Sequence, residues 1–273
     1  MTTRRTVVLL PIGYGLWPIG HWLVPILAGV WLAAAGVMPA GARDLEEEFH
    51  HTYALAADGR VSLENINGGV HVTTWSRNEV KVDAIKRAFS EDRLEAIEIK
   101  IDSDPNALRI KTKYHQHFNN DPGSVEYTLT VPRAARLDKI ELVNGGLEAE
   151  DLEGEVNASS VNGRIRVRGL AGGARLSVVN GHLEATFDRL DESKTVSLES
   201  VNGSIDLALP SDASATLDAS TVSGSIHNDF GLAVSGLFVG RQLHGTLGDG
   251  RAQVKLSDVN GSIRIRRARE ASN

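Results

Sequence analysis

Glu148, Glu184 and Asp206 each stand three residues beyond the glycine of an Asn-Gly pair. If the chain coils, the three carboxylates fall in one outward column. Glycoside hydrolysis needs such acids in pairs, one to protonate the leaving oxygen and one to attack or to activate water. However, Arg166 and His227 fall in the same column, and no aromatic side chain nearby offers a platform for a sugar. The column therefore predicts a solvated face on which neighbouring opposite charges pair, each pair contributing about 0.2–1 kcal/mol.

His115 and His117, two apart, would share a face of a strand and could hold a metal, but no third ligand lies near them in the chain. Ser159, Ser160, Ser177 and Ser200 have no histidine or acid arranged locally and read as stacking positions. The calcium-binding Gly-Gly-x-Gly-x-Asp repeat is absent. Gly248-Asp249-Gly250 is turn chemistry rather than a phosphate-cradling loop. No catalytic residue, metal site or cofactor is expected.

The elements that would position these side chains are set by a repeat. Val161-Asn162-Gly163-Arg164-Ile165 returns as Val201-Asn202-Gly203-Ser204-Ile205 and Val259-Asn260-Gly261-Ser262-Ile263. Asn144-Gly145 and Asn180-Gly181 are close variants; Asn67-Gly68 and Ser223-Gly224 are looser ones. From Asn144 to Ser223 the steps are about 18–22 residues, the range of solenoid repeats. Val196 and Leu198 alternate with Ser197 and Glu199 before the pair, and Ile165 and Val167 with Arg166 and Arg168 after it. A period of two means strands with one buried face. Each repeat then reads strand, Asn-Gly corner, strand, turn. The predicted fold is all-β: a single-stranded parallel β-helix, or β-solenoid, with rungs of about 18–22 residues.

Glycine at the corner is expected to supply positive φ. Stacked asparagines, about 4.8 Å apart, are expected to hydrogen-bond up the stack as a ladder. Asn-Gly is also the strongest hairpin signal. A series of hairpins would not keep the same order of inward residues at a fixed step.

The first 42 residues read as a signal segment. Arg4 and Arg5 precede an apolar stretch from Leu23 to Val37, and Ala40-Gly41-Ala42 offers a small-residue cleavage site. An uncleaved anchor is the alternative: Leu16 to Met38 is long enough to span a bilayer, though Pro18, His21 and Pro25 weaken it. The membrane is then touched only through this segment. The net charge is −6 with no long block of one sign, which proposes no nucleic acid partner. With no cysteine, the chain has no lipid-modified N-terminal cysteine, no disulfide and no thiolate metal site.

Residues 43–136 are expected to hold the first rungs and longer strands. Asp44 to His51 is a polar lead-in, Trp75 is a candidate cap, and Ser90 is a helix N-cap. Residues 137–266 carry the regular rungs, with 230–250 as a degenerate rung or a looped-out strand pair. Residues 267–273 are a tail.

The repeats follow Leu108-Arg109-Ile110-Lys111-Thr112-Lys113 and Tyr127-Thr128-Leu129-Thr130-Val131-Pro132, and Gly245-Thr246-Leu247-Gly248-Asp249-Gly250 precedes the last of them. With these motifs the chain resembles a bacterial family of candidate adhesins, an exported β-helix domain of unknown function. The resemblance covers roughly Val61 to Arg266. It implies a cell-envelope protein in the periplasm, at the cell surface or secreted, and brings no catalytic residues with it. The function expected is a non-enzymatic interaction or scaffolding surface whose partner is an envelope glycan or an envelope protein. A carbohydrate-active enzyme on the same scaffold, or an envelope-stress or assembly partner, is the alternative.

Overall fold

The computed structural model describes residues 44–115, 123–191, 193–236 and 240–268. The signal segment, His117 and the end of the tail lie outside them. The described chain is all-β and solenoid-like. It forms one mixed sheet of eighteen strands and holds a single short helix among the described residues.

Strands β1 (Leu45–Ala54), β2 (Arg60–Asn67), β3 (Val70–Trp75) and β4 (Glu79–Ala88) precede α1 (Glu91–Glu95). Strands β5 (Ile97–Asp104), β6 (Ala107–Tyr114) and β7 (Ser124–Pro132) follow it. The regular rungs begin with β8 (Arg136–Asn144) and β9 (Leu147–Glu150), then β10 (Val156–Asn162) and β11 (Ile165–Leu170). In β12 (Ala174–Phe187) and β13 (Thr195–Leu209) a whole rung is one bent strand. The chain ends through β14 (Ala215–Ser223), β15 (Ile226–Asn228), β16 (Val234–Ser235), β17 (Arg241–Leu247) and β18 (Ala252–Arg267).

The rungs stack in parallel and in register. Asn144 lies beside Asn162, Asn162 beside Asn180, and Asn180 beside Asn202. Alternation buries one side of each strand. Val70, Leu147, Ile165, Leu183, Ile205, Ile263 and Ile226 form a single buried column through the stack. Full burial of each such side chain contributes roughly 1.5–3 kcal/mol.

The order of rungs in space is not their order in the chain. The pair β2–β3 lies between β6–β7 and β8–β9. At the other end β18 lies between β13 and β14–β15. The stack therefore runs β6–β7, β2–β3, β8–β9, β10–β11, β12, β13, β18, β14–β15.

The expectation of a purely parallel coil is corrected at both ends. At one, β5 pairs antiparallel with β6, β4 with β7, and β1 with β4. At the other, β17 pairs antiparallel with β14, and β16 with β17. Residues 230–250 thus contain a looped-out strand pair. These strands cover backbone edges that the end rungs would otherwise present to another chain.

Three local expectations are also corrected. The lead-in from Asp44 to His51 enters β1, where Phe49 and Tyr53 pack against the core. Trp75 is not a cap of the stack: it ends β3 beside Pro132, and its indole N–H donates to the Glu79 carbonyl at 2.7 Å. Ser90 occupies the N-cap position of α1, but its side chain makes no capping bond.

Candidate functional site

The outward column that includes Glu148, Glu184 and Asp206 is built by β9, β11, β12, β13, β18 and β15. Its order in space is Glu148, Arg166, Glu184, Asp206, Arg264, His227, so Arg264 comes before His227. Arg166 bridges two acids, with Nε 2.8 Å from Glu184 and Nη1 3.2 Å from Glu148. Glu184 and Asp206 are register neighbours, but each turns to a cation on its far side. Glu184 meets Arg166, while Arg264 and Arg266 reach Asp206 at 3.7 and 3.9 Å. Burial pushes the Glu184 carboxyl up, but the Arg166 hydrogen bond and the charges of Arg166, Arg168 and His182 outweigh it and leave its pKa lowered. Glu184 is thus held ionised by its partners, while Glu148 and Asp206 each lie within reach of an arginine.

Sequence reasoning missed His182. Its Nδ1 lies 2.6 Å from the Ser204 hydroxyl and its Nε2 3.3 Å from Asp206. The signal was present: His182 and Ser204 occupy the same place after Asn-Gly in consecutive repeats, and register sets them side by side. Serine, histidine and acid in a chain can relay a proton. Acyl transfer also needs free donors for an oxyanion. Strand β13 is paired on both edges from 202 to 208, which commits its backbone N–H groups to the ladders. The trio therefore lacks the second half of a hydrolytic site.

Of the two histidines considered as metal ligands, His115 meets Glu98 at 2.7 Å. Among the described residues, no group of three or more His, Cys, Asp or Glu side chains is placed to hold a metal.

The Asn-Gly positions build a different surface. Buried Ser160 and buried Ile165 are five residues apart, so alternation breaks between them and the strand bends. Both Val161 and Asn162 then face outward. Repetition of this bend makes two exposed ladders. Asn144, Asn162, Asn180, Asn202 and Asn260 each donate Nδ2–H to Oδ1 of the asparagine on the preceding rung, at 2.9–3.0 Å, with Asn67 as the first acceptor. Ser223 continues the column beside Asn260 without an amide.

Beside them run Ile66, Val143, Val161, Val179, Val201, Val259 and Val222, between 39% and 55% exposed. Ile66, Val143 and Val161 flank a shallow groove of about 350 Å³ that Glu64, Lys111 and Glu141 also line. Hydrogen bonds from Lys111 and Lys139 hold the Glu64 carboxyl below its usual range.

The corner glycines are needed for a reason the sequence did not reveal. Of the repeat glycines, Gly68 (φ 110°) and Gly181 (φ 155°) have positive φ; Gly145, Gly163, Gly203, Gly224 and Gly261 do not. A Cβ at Gly145, Gly163, Gly181, Gly203, Gly224 or Gly261 would instead strike the carbonyl of the stacked glycine, well under 3.0 Å away. Close approach of backbones excludes a side chain at all six, and positive φ adds to it at Gly181 alone.

A family model described as Toastrack DUF4097 matches residues 52–266. No curated protein matches the chain at a significant level. Among solved structures, a candidate cell adhesion protein from Clostridium sporogenes is 14% identical, with 81% of this chain and 100% of that chain covered and a TM-score of 0.51. A candidate adhesin from Bacteroides fragilis is 11% identical over 80% of this chain and 97% of that one, with a TM-score of 0.39. A candidate lipid binding protein from Parabacteroides distasonis is 12% identical over 82% and 97%, with a TM-score of 0.36. The likeness to the Clostridium sporogenes structure is one of fold.

Proposed function

The chain belongs to the Toastrack DUF4097 family, and from that premise we propose that it is a non-enzymatic interaction or scaffolding protein of the cell envelope. The central parallel rungs act as coils of a β-helix that hold one surface rigid. The observation that carries this reading is the pair of exposed ladders. Seven apolar side chains lie in line on successive rungs, and five of them, Val143, Val161, Val179, Val201 and Val259, are 39–40% exposed. Large exposed apolar patches on soluble proteins mark interaction sites. The charged column competes poorly for that role, because its ion pairs are already made within the face. The adhesion role named for the Clostridium sporogenes structure is in keeping with the reading.

Export is part of the proposal and rests on Arg4, Arg5, the apolar stretch and Ala40-Gly41-Ala42. Among the described residues no helix is long and apolar enough to cross a membrane.

Sedimentation of the full chain with envelope fragments tests the reading. The variant Val179→Glu/Val201→Glu should lose retention while Arg168→Ala keeps it. Equal retention of the two variants would overturn the ladder as the contact surface. Product analysis on the same samples would expose a carbohydrate-active enzyme through released sugar. Protease treatment of the fragments separates an envelope protein from an envelope glycan as the partner.

A further inference from the structure

The chemistry of the partner can be read from the same ladders, on the premise that they are the docking surface. We propose that they bind an extended, neutral, β-linked polysaccharide laid along the stack, with about one sugar per rung.

Hydrogen-bonding capacity points there first. An amide carries two N–H donors and two acceptor lone pairs. Each inner asparagine uses one N–H and one lone pair in the ladder. One donor and one acceptor per rung remain, held in a fixed direction by the rungs on either side. A hydroxyl is itself donor and acceptor, so this row is preorganised for a row of hydroxyls.

Periodicity points the same way. Rungs repeat about 4.8 Å apart, close to the advance of one pyranose in an extended β-linked chain. The valine next to each asparagine gives the C–H face of that pyranose an apolar contact, and the groove beside Ile66, Val143 and Val161 seats one end.

Charge narrows the class. The apolar column and the Asn column carry no cation, and the next outward column has Glu64, Glu141, Ser159, Ser177, Glu199, Ser257 and Ser220. Lys111 and Lys139, at one end, are tied to Glu64. The two ladder columns therefore set no charge against a polymer, and beside them Glu64 and Glu141 are already paired with Lys111 and Lys139, so a neutral chain meets nothing left to neutralise. A second copy of a chain with net charge −6 would bring these acids against one another. A β-strand from another protein finds no free edge at the corner, because each inner rung is paired on both sides.

The test is co-sedimentation of the full chain with insoluble cellulose and insoluble chitin, with α-linked dextran and anionic alginate as contrasts. Retention is expected on at least one of the two β-linked polymers and on neither contrast. The variant Val161→Ser/Val179→Ser/Val201→Ser should weaken that binding about tenfold or more with its urea midpoint close to wild type. Asn180→Ala/Asn202→Ala should weaken it as well, and Arg168→Ala should not. Failure of wild type to bind either polymer, or full binding by the serine variant, would overturn the proposal. Sedimentation velocity on the same samples separates the remaining case. A dimer lost in the serine variant, with no polymer bound, makes the occupant a second copy and keeps the docking face. Envelope retention insensitive to the ladder would instead remove the face itself.

Discussion

Asp258 shows how one side chain can be out of step with its column. Its register partners are Ser200 and Thr221, and the same column holds Ser160 and Asn65 further along the stack, all buried at the turn into the corner. Three of them serve as donors there. Ser160 donates to the Gly145 carbonyl at 2.8 Å, Thr221 to Gly261 at 3.3 Å, and Asn65 to Val125 at 2.8 Å. An ionised carboxylate can only accept. Asp258 is 2% exposed, and no hydrogen bond of ordinary geometry reaches either oxygen. Burial raises its pKa, with the Ser200 hydroxyl and the Val259 N–H offsetting part of the rise. A raised carboxyl favours the folded state while protonated. Its contribution is therefore complete below the unfolded value of about 3.9 and is lost as pH climbs through the folded one. Asp258→Asn supplies the donor that Asn65 already supplies elsewhere. We expect it to raise stability at pH 7.5 by on the order of 1 kcal/mol and to change little at pH 3.5. Urea midpoints of the two proteins at both pH values decide this; an equal gain at both would mean that ionisation is not the cause.

At the scale of the corner element, asparagine and glycine divide the work. The asparagines link rungs through exposed amides, and the glycines let backbones stack closely enough for those amides to meet. Gly203→Ala and Gly231→Ala separate close approach from backbone conformation. Gly203 has no positive φ, yet its Cβ would strike the Gly181 carbonyl; Gly231 has φ 73° and nothing within 4 Å. The strain of positive φ costs an alanine about 1–2 kcal/mol. Displacing a stacked carbonyl disturbs two rungs, so Gly203→Ala should cost more than Gly231→Ala. Thermal or urea unfolding measures both, and a smaller loss at Gly203 would place the constraint in φ after all. Sequence reasoning located these glycines through the repeat; the positive φ it assigned them holds at Gly68 and Gly181 and not at Gly145, Gly163, Gly203, Gly224 or Gly261. Spacing along the chain carries no information about how near the next backbone lies.

At the scale of the whole molecule, the displaced rungs matter most. Because β18 lies between β13 and β14, the C-terminal strand is an internal layer. Val254, Leu256, Ile263 and Ile265 are at most 1% exposed. Removing residues 252–273 should therefore abolish cooperative unfolding rather than fray one end, since it strands β14 and β15 and opens the apolar face of β13. Circular dichroism melts of the truncated and full chains check this; a truncated chain that melts cooperatively near the full-length temperature would refute it. The all-β class, the alternation of inward and outward residues, the step between rungs and the asparagine ladder were legible in the residues from Leu137 to Asp229. They depend on side-chain period and on the chemistry of Asn and Gly, which are local. The antiparallel strands at the N-terminal end and the interchange of rungs were not legible, and for residues 230–250 a strand pair was one of two open readings. Alternation marks a strand but names neither its neighbour nor its direction. The burial of Asp258 beside Ser200 and Thr221 likewise arises from register between strands. Local pattern thus determined what each rung is. Long-range packing, driven by the need to cover apolar columns and open edges at the two ends, decided where each rung sits.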